Sequence, residues 1–565
     1  MKQINNNLST PEIELLDINS PLKEYPRPQF KRESYLSLNG QWDYKLTYDY
    51  NDIFSPYEGK ILVPYCLESK NSQVNKALNK GQYIIYHRHL TLTKDFLKKN
   101  TLINFLGVDQ EFTLIINNCS YGPFKTYMCA KTIDISTSIK VENEIFVIVK
   151  DDLNQSLPHG KQVNKSKGMF YTSCSGIYFP VFIESMEDNY IENIFITPTL
   201  EGINLKIKSS SSNFKIKIYV QDTLIKKINT DKKDLYISID NPHLWDIEDP
   251  FLYNLIVETE NDKIQSYFGL RTIKAIDNQI YLNNKKIFLN GLLDQGYYPE
   301  GIYTVSDYKS YEKDILTMKE LGFNLLRKHM KVECDYFYYL CDKYGMLIMQ
   351  DFIFTGKYNF MIDTAFPTIG LKSIKKINKK KNISEKINFY RHGSKIINDL
   401  YNHPCIIAYT IFNEGWGQFM SDRVFTYFKN KDLSRLFDAT SGWFKNNNSD
   451  FESQHIYFKK IKITYSHKKP LLISEFGGFV FKINDHSYNL NQTFGYKFFK
   501  NRQDYQNGLI LLYKEQILPY KEQLCGVIYT QLSDVEDETN GLFTYDRKIL
   551  KVNKNALKEI SEDIK

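Results

Sequence analysis

The pattern of apolar and polar residues divides the chain into three regions. From Tyr35 to about Met186, short alternating stretches are separated by turn residues, and no segment has helical periodicity. This pattern predicts a β-sandwich of the jelly-roll type. A second all-β pattern, over residues 190–272, predicts a small immunoglobulin-like sandwich. Residues 1 to about 25 follow neither pattern and are predicted to form a loosely ordered arm.

Beyond residue 273, short apolar runs alternate with segments of helical periodicity. Strands are expected at 287–291, 324–327, 347–351, 406–412, 471–474 and 526–530, and helices at 308–321, 334–344, 387–400, 423–430 and 504–517. Such alternation fits a (β/α)8 TIM barrel better than an open doubly wound sheet. The predicted fold class is therefore multidomain β plus α/β, with a jelly-roll β-sandwich (1–187), an immunoglobulin-like β-sandwich (188–273) and a C-terminal barrel (274–565).

Two of the barrel's apolar runs end near a glutamate, Glu414 after one and Glu475 after the other. The carboxyl ends of barrel strands meet at one mouth, where Arg327 and Asp351 are also expected. A pair of carboxylates can cleave a glycosidic bond, at roughly 5 Å separation with retention and roughly 6.5–9.5 Å with inversion. The alternative for each glutamate is a structural salt bridge to Arg327 or to a lysine.

Other side chains near these runs could bind a sugar, and each has a structural alternative. Asn413 could bond the 2-hydroxyl or cap a loop. His329 and His455 could bind hydroxyls or be structural. Trp416 offers a flat face to a pyranose ring or packs in its glycine-rich turn, and Asp351 could bind a hydroxyl or pair with an arginine.

Composition narrows the class of protein. The net charge is +7, but Lys and Arg are spread along the chain, which argues against nucleic-acid or membrane partners. The 15% aromatic content suits sugar stacking and β-strands equally. The eight cysteines include no CxxC pair, so neither a zinc site nor a disulfide framework is expected. Without a signal-like or membrane-spanning segment, a cytoplasmic location is predicted.

Several motifs resemble glycoside hydrolase family 2, the family of β-galactosidases, β-glucuronidases and β-mannosidases. The strongest are Phe412-Asn413-Glu414-Gly415-Trp416-Gly417-Gln418 and Ser474-Glu475-Phe476-Gly477-Gly478. The resemblance extends over nearly the whole chain, through Pro26-Arg27-Pro28-Gln29, Leu38-Asn39-Gly40-Gln41-Trp42, Ser175-Gly176-Ile177-Tyr178 and Phe268-Gly269-Leu270-Arg271.

The resemblance implies roles for the mouth residues. Glu414 would be the acid/base, Asn413 its neighbour at the 2-hydroxyl, and Glu475 the nucleophile of a retaining double displacement. Arg327 matches a barrel arginine expected near the nucleophile. Gln350-Asp351-Phe352 is similar to a strand-end motif best known in the mannosidase branch.

Three departures from the family patterns bear on cofactors and substrate. Asp351-Phe352-Ile353-Phe354-Thr355-Gly356 lacks the extra ligands of magnesium-dependent galactosidases, so no metal or other cofactor is expected. Glu538-Thr539-Asn540 stands where glucuronidases carry an Asn-x-Lys carboxylate clamp, which disfavours a uronic acid substrate. Gly291-Leu292-Leu293-Asp294-Gln295-Gly296 replaces a histidine-rich segment, and Asp294 joins the substrate-binding candidates.

The leading hypothesis is an exo-acting retaining β-glycosidase, β-galactosidase-like, with a carbohydrate as its partner. Alternatives are β-mannosidase or another β-glycosidase specificity, a non-catalytic carbohydrate-binding protein, or a purely structural β-rich protein. The last leaves the paired glutamates unexplained. A homo-oligomer remains possible.

Overall fold

The computed structural model describes residues 2–366, 382–443, 448–463 and 468–564. Its N-terminal segment differs from the predicted loose arm. Thr10 is fully buried, and its backbone N–H and hydroxyl donate to the Glu300 carboxylate. Leu8 and Leu22 are buried, and Asn5 donates from its backbone N–H to Tyr488. The segment is therefore packed on the rest of the molecule, since its few apolar residues reach pockets that no local pattern reveals.

Two antiparallel sheets form the predicted jelly roll. Their strand orders are β3-β2-β4-β9-β6-β7 and β1-β12-β5-β8. Apolar side chains from both sheets fill the space between them, and Trp42 and Tyr86 of the six-stranded sheet are among the largest examples. The strands of these sheets are β1 (Tyr35–Ser37), β2 (Gly40–Thr47), β3 (Gly59–Val63), β4 (Tyr83–Thr91), β5 (Asn100–Asp109), β6 (Glu111–Ile116), β7 (Cys119–Lys125), β8 (Lys131–Asp134), β9 (Glu142–Lys150) and β12 (Gly176–Met186). Two short strands, β10 (Gln162–Val163) and β11 (Tyr171–Thr172), form a separate parallel pair.

The immunoglobulin-like sandwich consists of sheets β13-β14-β17 and β16-β15-β18-β19. Alternate residues of these strands point into a separate apolar cluster, which explains the period-2 pattern. The strands are β13 (Ile191–Pro198), β14 (Gly202–Ser209), β15 (Phe214–Val220), β16 (Thr223–Thr230), β17 (Asp234–Ser238), β18 (Tyr253–Glu258) and β19 (Lys263–Phe268). A small sheet of β20 (Ile273–Ile276), β21 (Gln279–Leu282) and β22 (Lys285–Ile287) leads into the third region.

Eight parallel strands then form a nearly closed barrel, as predicted, in the order β27-β26-β25-β24-β23-β32-β29-β28. They are β23 (Leu289–Asp294), β24 (Leu325–Lys328), β25 (Leu347–Asp351), β26 (Ile406–Thr410), β27 (Leu436–Asp438), β28 (Glu452–Ile456), β29 (Leu471–Gly477) and β32 (Gly526–Thr530), with β30 (Phe479–Val480) and β31 (Lys497–Phe498) as a separate pair. The helices are α1 (Lys309–Glu320), α2 (Asp335–Tyr344), α3 (Ile383–Asp399), α4 (Ser421–Lys429), α5 (Arg502–Gln516) and α6 (Lys554–Ile564). Shorter helical turns lie at Pro11–Leu15, Pro28–Phe30, Met361–Ala365, Asn484–His486 and Leu518–Gln523.

The barrel corrects several predicted element bounds. β27 and β28 were not predicted, because one is only three residues long and the other is polar at most positions. β26 ends at Thr410 rather than at Phe412, and β29 continues to Gly477, so Glu475 lies within a strand rather than at its end. The two predicted sequence boundaries between the three domains remain predictions.

Apolar and thiol side chains fill the interior. The eight cysteines are free thiols, of which Cys119 alone is exposed. Across the described ranges, every helix is too short or too polar to span a bilayer.

Candidate active site

Glu414 is held in a loop that follows β26. Beyond that strand, the Glu414 N–H donates to Ser441 O and the Ser441 N–H to Phe412 O, both at 2.7 Å. The Phe412 ring stacks on Phe389 of α3 with 4.8 Å between centroids. Glu414 itself has a φ of +50°, which is unusual for a residue with a side chain. The loop is therefore fixed on both sides, and the carboxyl group is fixed with it.

Glu475 lies where β29 is irregular. The pairing register of β29 shifts between Ile473 and Phe476 against β32. Gly477 follows with a φ of +83°, and a Cβ there would stand 2.3 Å from the Tyr529 ring. Only glycine fits this turn, which explains the glycine after Glu475 in the motif. The irregularity turns Glu475 towards the barrel mouth.

The two carboxyl groups face each other across His455. Oxygens of Glu414 and Glu475 lie within 4.8 Å of each other. The His455 Nδ1 is 2.9 Å from Glu414 Oε1 and 3.6 Å from Glu475 Oε2. The separation of the carboxyl groups matches the roughly 5 Å of retaining glycosidases rather than the longer inverting distance.

A chain of hydroxyl groups orients the His455 ring. The Ser441 hydroxyl donates to Ser474 Oγ at 2.8 Å, so it accepts from His455 Nε2 at 2.9 Å. With Nε2 carrying a proton, neutral His455 has a free lone pair on Nδ1, directed at Glu414. His455 can therefore accept a hydrogen bond from protonated Glu414 or, as a cation, donate to both carboxylates.

Arg327 joins the ends of four barrel elements behind the carboxylates. Its guanidinium donates to Asp351 at 2.9 and 3.1 Å, to Glu475 Oε1 at 3.2 Å and to Asn413 Oδ1 at 2.9 Å. His329 Nδ1 lies 2.7 Å from Asp351 Oδ2. The structure thus brings together all four residues expected at the mouth, and it includes the Arg327 salt bridge that the sequence left as an alternative.

The electrostatic surroundings push the pKa values of the two glutamates apart. Burial raises the pKa of Glu414, and the charge of Glu475 adds to this, although the His455 contact opposes it. Burial also disfavours ionised Glu475, but His455 and Arg327 outweigh it and lower the Glu475 pKa. Burial lowers the pKa of His329 to about 4, and the pKa of Asp351 falls to about 2 because Arg327 overcomes its burial. One protonated and one ionised carboxyl group is the arrangement of an acid and a nucleophile.

A cavity of about 780 Å³ opens onto these groups. Trp416 forms part of its wall and donates from Nε1 to Glu414 Oε2 at 3.2 Å. The Trp416 ring stacks on Phe170 of the jelly roll, and Lys161 and Met169 of that domain also line the cavity. The jelly roll therefore contributes directly to the site.

The structure places Asp294 apart from this cavity. Its neighbours Leu293 and Gln295 line the wall, whereas the Asp294 carboxylate accepts from Lys328 at 2.6 Å and from the Gly296 N–H at 2.8 Å. Asp294 therefore does not line this cavity, because alternate residues of β23 point to opposite sides, and its contact with substrate stays a prediction. Asn413, His329, His455 and Trp416 do line the cavity, while Arg327 and Asp351 lie behind its wall.

Sequence reasoning missed several cavity residues, of which Tyr457 is the most important. Its hydroxyl donates to Glu475 Oε2. Tyr457 lies two positions after His455, so the period of a strand puts both side chains on one face. That signal was present in the sequence, but β28 was not predicted. Lys161, Met169, Gln295, Trp443, Tyr496, Thr530 and Glu538 also line the cavity.

Glu414, His455 and Glu475 also present one ligand atom each within 4.8 Å of one another, which is compatible with a metal ion. A cation held there would occupy both carboxylates and displace the proton on Glu414. Glu414, His455 and Glu475 could therefore either hold a metal ion or act as an acid and nucleophile pair with a bridging histidine. The expectation that the site needs no metal remains a prediction.

The comparisons with known proteins agree with this geometry. Residues 273–565 match the family description "Glycosyl hydrolases family 2, TIM barrel domain", and residues 189–271 match "Glycosyl hydrolases family 2". A β-galactosidase of Actinobacillus pleuropneumoniae is 23% identical over 549 residues, covering 82% of this chain and 53% of its own. A β-galactosidase of Priestia megaterium is 23% identical over 544 residues, with 88% and 49% covered.

Solved structures with the same fold include β-glucuronidases. One from an uncultured Clostridium sp. has a TM-score of 0.75 and 18% identity, covering 95% of this chain and 99% of its own. One from Ruminococcus gnavus has a TM-score of 0.75 and 15% identity, with 96% and 100% covered. The chain spans about half the length of the curated relatives it matches.

The chain belongs to glycoside hydrolase family 2.

Proposed function

We propose that the protein is a retaining exo-β-glycosidase that hydrolyses terminal β-linked sugars by double displacement. The observation that carries this proposal is the pair Glu414 and Glu475, whose oxygens lie within 4.8 Å and whose pKa values shift in opposite directions. Glu414, protonated, donates to the glycosidic oxygen as the bond to the leaving group breaks. Glu475, ionised, attacks the anomeric carbon and forms a glycosyl-enzyme ester.

The second half of the reaction uses the same groups in reverse. Once the leaving group has departed, Glu414 is a carboxylate and takes a proton from water, which attacks the anomeric carbon and releases Glu475. The His455 Nδ1 lies 2.9 Å from Glu414 Oε1 and can hydrogen-bond to Glu414 whether that carboxyl group is protonated or ionised. Arg327 and the Tyr457 hydroxyl hold the Glu475 carboxylate in position for attack.

The glycone we propose is galactose, because the β-galactosidases of A. pleuropneumoniae and P. megaterium match over most of this chain. The β-glucuronidase structures are similar in fold, but Glu538 and Asn540 replace the clamp that would bind a uronate. β-Mannosidase or another β-glycosidase activity is the alternative within the family. A carbohydrate-binding protein without turnover is the alternative outside it.

A panel of 4-nitrophenyl β-glycosides separates these alternatives. We expect fastest release of nitrophenol from the galactoside among the galactoside, glucoside, mannoside, glucuronide and arabinoside. Glu414→Gln and Glu475→Gln should each lower kcat/KM by at least about 10³-fold, since each removes a group that acts on the reacting atoms. Turnover that survives Glu475→Gln would show that another group attacks. No turnover by the wild-type protein on any glycoside would favour the binding protein.

A further inference from the structure

A lysine of the jelly roll is buried against the cavity and has no anionic partner among the described residues. Lys161 immediately precedes β10, is only 7% exposed and lines the cavity wall. Its ammonium group lies 5.5 Å from the ring centroid of Tyr171 and 5.9 Å from that of Trp416. Within the described ranges it makes no hydrogen bond and no ion pair. Because a buried ammonium normally has an anion or several acceptors nearby, the cavity itself is where its partner would bind.

The acidic groups of the cavity already have partners of their own. Glu414 contacts His455 and Trp416, and Glu475 contacts Arg327 and Tyr457. The third, Glu538, accepts a hydrogen bond from the Tyr171 hydroxyl. Burial raises the pKa of Glu538 and the charge of Lys161 partly opposes that rise, but among the described residues the two side chains form no ion pair. None of the three therefore supplies the missing partner of Lys161.

Three more lysines line the same cavity at its mouth. Lys459, Lys460 and Lys462 follow Phe458, and all four side chains are exposed. Within the part of the chain that the structure describes, these three ammonium groups also lack ion pairs. Four lysines thus line the cavity from the mouth inwards, beside three glutamates that already have partners, and the exposed lysines at the mouth favour the entry of an anion.

The position of Lys161 indicates which part of a substrate it would touch. Lys161 lies over the Trp416 ring, and the Trp416 N–H donates to Glu414. Glu414 is the group that would protonate the departing oxygen, so the leaving group would lie on this side of the cavity. This step rests on the proposed function.

We propose that the cavity prefers β-glycosides whose leaving group carries an oxyanion, which is either a carboxylate or a sulfate. Lys161 binds the oxyanion through a charge-assisted hydrogen bond, and Lys459 and Lys460 attract it to the mouth. The substrate class is then an acidic β-glycoside rather than a neutral disaccharide.

A matched pair of substrates tests this proposal. The 4-nitrophenyl glycoside of the preferred sugar is made with a 3-carboxylate and with the neutral 3-carboxamide, and kcat/KM is measured for both. We expect the carboxylate to be preferred at least tenfold in wild type. Lys161→Met should reduce that preference by about 10- to 100-fold, as expected for the loss of a charge-assisted hydrogen bond, and Lys161→Arg should keep most of it. The 3-sulfate should behave as the carboxylate does.

Control variants separate binding from attraction. Lys459→Met/Lys460→Met should lower the carboxylate preference less than Lys161→Met does, and its effect should vanish in high salt. Lys227→Met, on an exposed position of β16, removes the same charge far along the chain and should leave the preference unchanged.

Each other outcome is decisive. Equal kcat/KM for carboxylate and carboxamide, with turnover of both, overturns the inference and leaves the glycosidase assignment standing. If the glucuronide were hydrolysed faster than every substrate with a charged leaving group, the preferred anion would belong to the glycone. The proposal that Lys161 binds an oxyanion of the leaving group would then be wrong. If neither substrate is turned over, the glycosidase assignment fails. The inference can then still be tested by measuring, with calorimetry, how tightly the Glu475→Gln protein binds the carboxylate and the carboxamide aglycones. Equal affinities for the two aglycones would refute it.

Discussion

His455 links the two glutamates, and its position sets the pH range in which both would be in their working states. The proposed mechanism requires ionised Glu475 and protonated Glu414. The pKa of Glu475 is lowered and that of Glu414 is raised, so activity rises with pH as Glu475 ionises and falls as Glu414 loses its proton. A bell-shaped profile of kcat/KM is therefore expected.

Removal of the imidazole should shift that profile in a defined direction. The His455 contacts lower the pKa values of both Glu414 and Glu475. In His455→Gln both pKa values should rise, so both limbs should move to higher pH, as measured on an aryl glycoside. A loss of activity at every pH with unmoved limbs would show that His455 does not act on the carboxyl groups.

Tyr457 tests the other contact of the proposed nucleophile. Its hydroxyl donates to Glu475 Oε2, and burial together with the Glu475 charge raises the Tyr457 pKa well above its usual value, so it remains a donor. Tyr457→Phe should lower kcat by about 10- to 100-fold, the expected loss for one hydrogen bond to a charged group. Tyr409→Phe removes a buried barrel hydroxyl that has no hydrogen-bond partner among the described residues, and it serves as the control. Equal losses in both variants would contradict a specific role for Tyr457.

At the scale of the element, the end of β29 depends on a glycine that no other residue can replace. Gly477 has a φ of +83°, and its added Cβ would meet the Tyr529 ring at 2.3 Å. Gly81 has nearly the same φ, +81°, but no atom lies within 4 Å of its added Cβ. Gly81→Ala should therefore cost about 1 kcal/mol of unfolding free energy from backbone strain alone.

Gly477→Ala should cost more than Gly81→Ala and should also lower kcat/KM, because Glu475 lies two residues away. Thermal unfolding and turnover of the two variants are the measurements. If both variants behave alike, the close approach of β29 to Tyr529 does not constrain the position of Glu475.

The elements that the sequence predicted are those in which burial leaves a strong local pattern. β25 was predicted with its observed bounds because all five of its residues are buried in a parallel sheet. β27 and β28 were missed, since Leu436–Asp438 is too short for a pattern and β28 carries Glu452, Gln454 and His455. One of these polar residues, His455, lines the cavity, so the local pattern is weak in a strand that carries a candidate site residue. The same omission hid Tyr457.

At the scale of the whole molecule, Arg271 ties the immunoglobulin-like sandwich to the barrel. It is buried at the junction, and its guanidinium donates to Pro404 O at 2.9 Å, Ile406 O at 2.7 Å and Ser434 O at 3.2 Å. Ile406 begins β26, the strand that precedes Glu414. The contact therefore joins the second domain to the element that supports the acid/base candidate.

Arg271→Met should destabilise the protein by about 2–4 kcal/mol, because Pro404 O and Ser434 O lose their donor and Ile406 O is left with Arg435 alone. Arg391→Met, on the exposed side of α3, is the matched control. A lower unfolding temperature for Arg271→Met alone, measured by calorimetry, would agree with this assignment. Equal unfolding temperatures for the two variants would contradict it.

The arrangement of the jelly roll and the barrel around the cavity lay beyond the sequence. Local patterns predicted three fold types, but Lys161 and Trp416 are 255 positions apart and meet only because the jelly roll packs against the barrel mouth. Asp294 shows a different limit. The family resemblance suggested it as a substrate contact, but its carboxylate lies on the side of β23 away from the cavity, next to Lys328. Side-chain direction at a barrel mouth depends on register, which one sequence fixes only weakly.

The most direct test of the account is the identity of the residue that becomes covalently attached to sugar. The protein is incubated with the 2,4-dinitrophenyl 2-deoxy-2-fluoro-β-glycoside of its preferred sugar, digested and mapped by mass spectrometry. The account predicts one fluoroglycosyl adduct, on the peptide that contains Glu475, and on that residue within it. An adduct on Glu414 or on any other residue would contradict the assignment of Glu475 as the nucleophile.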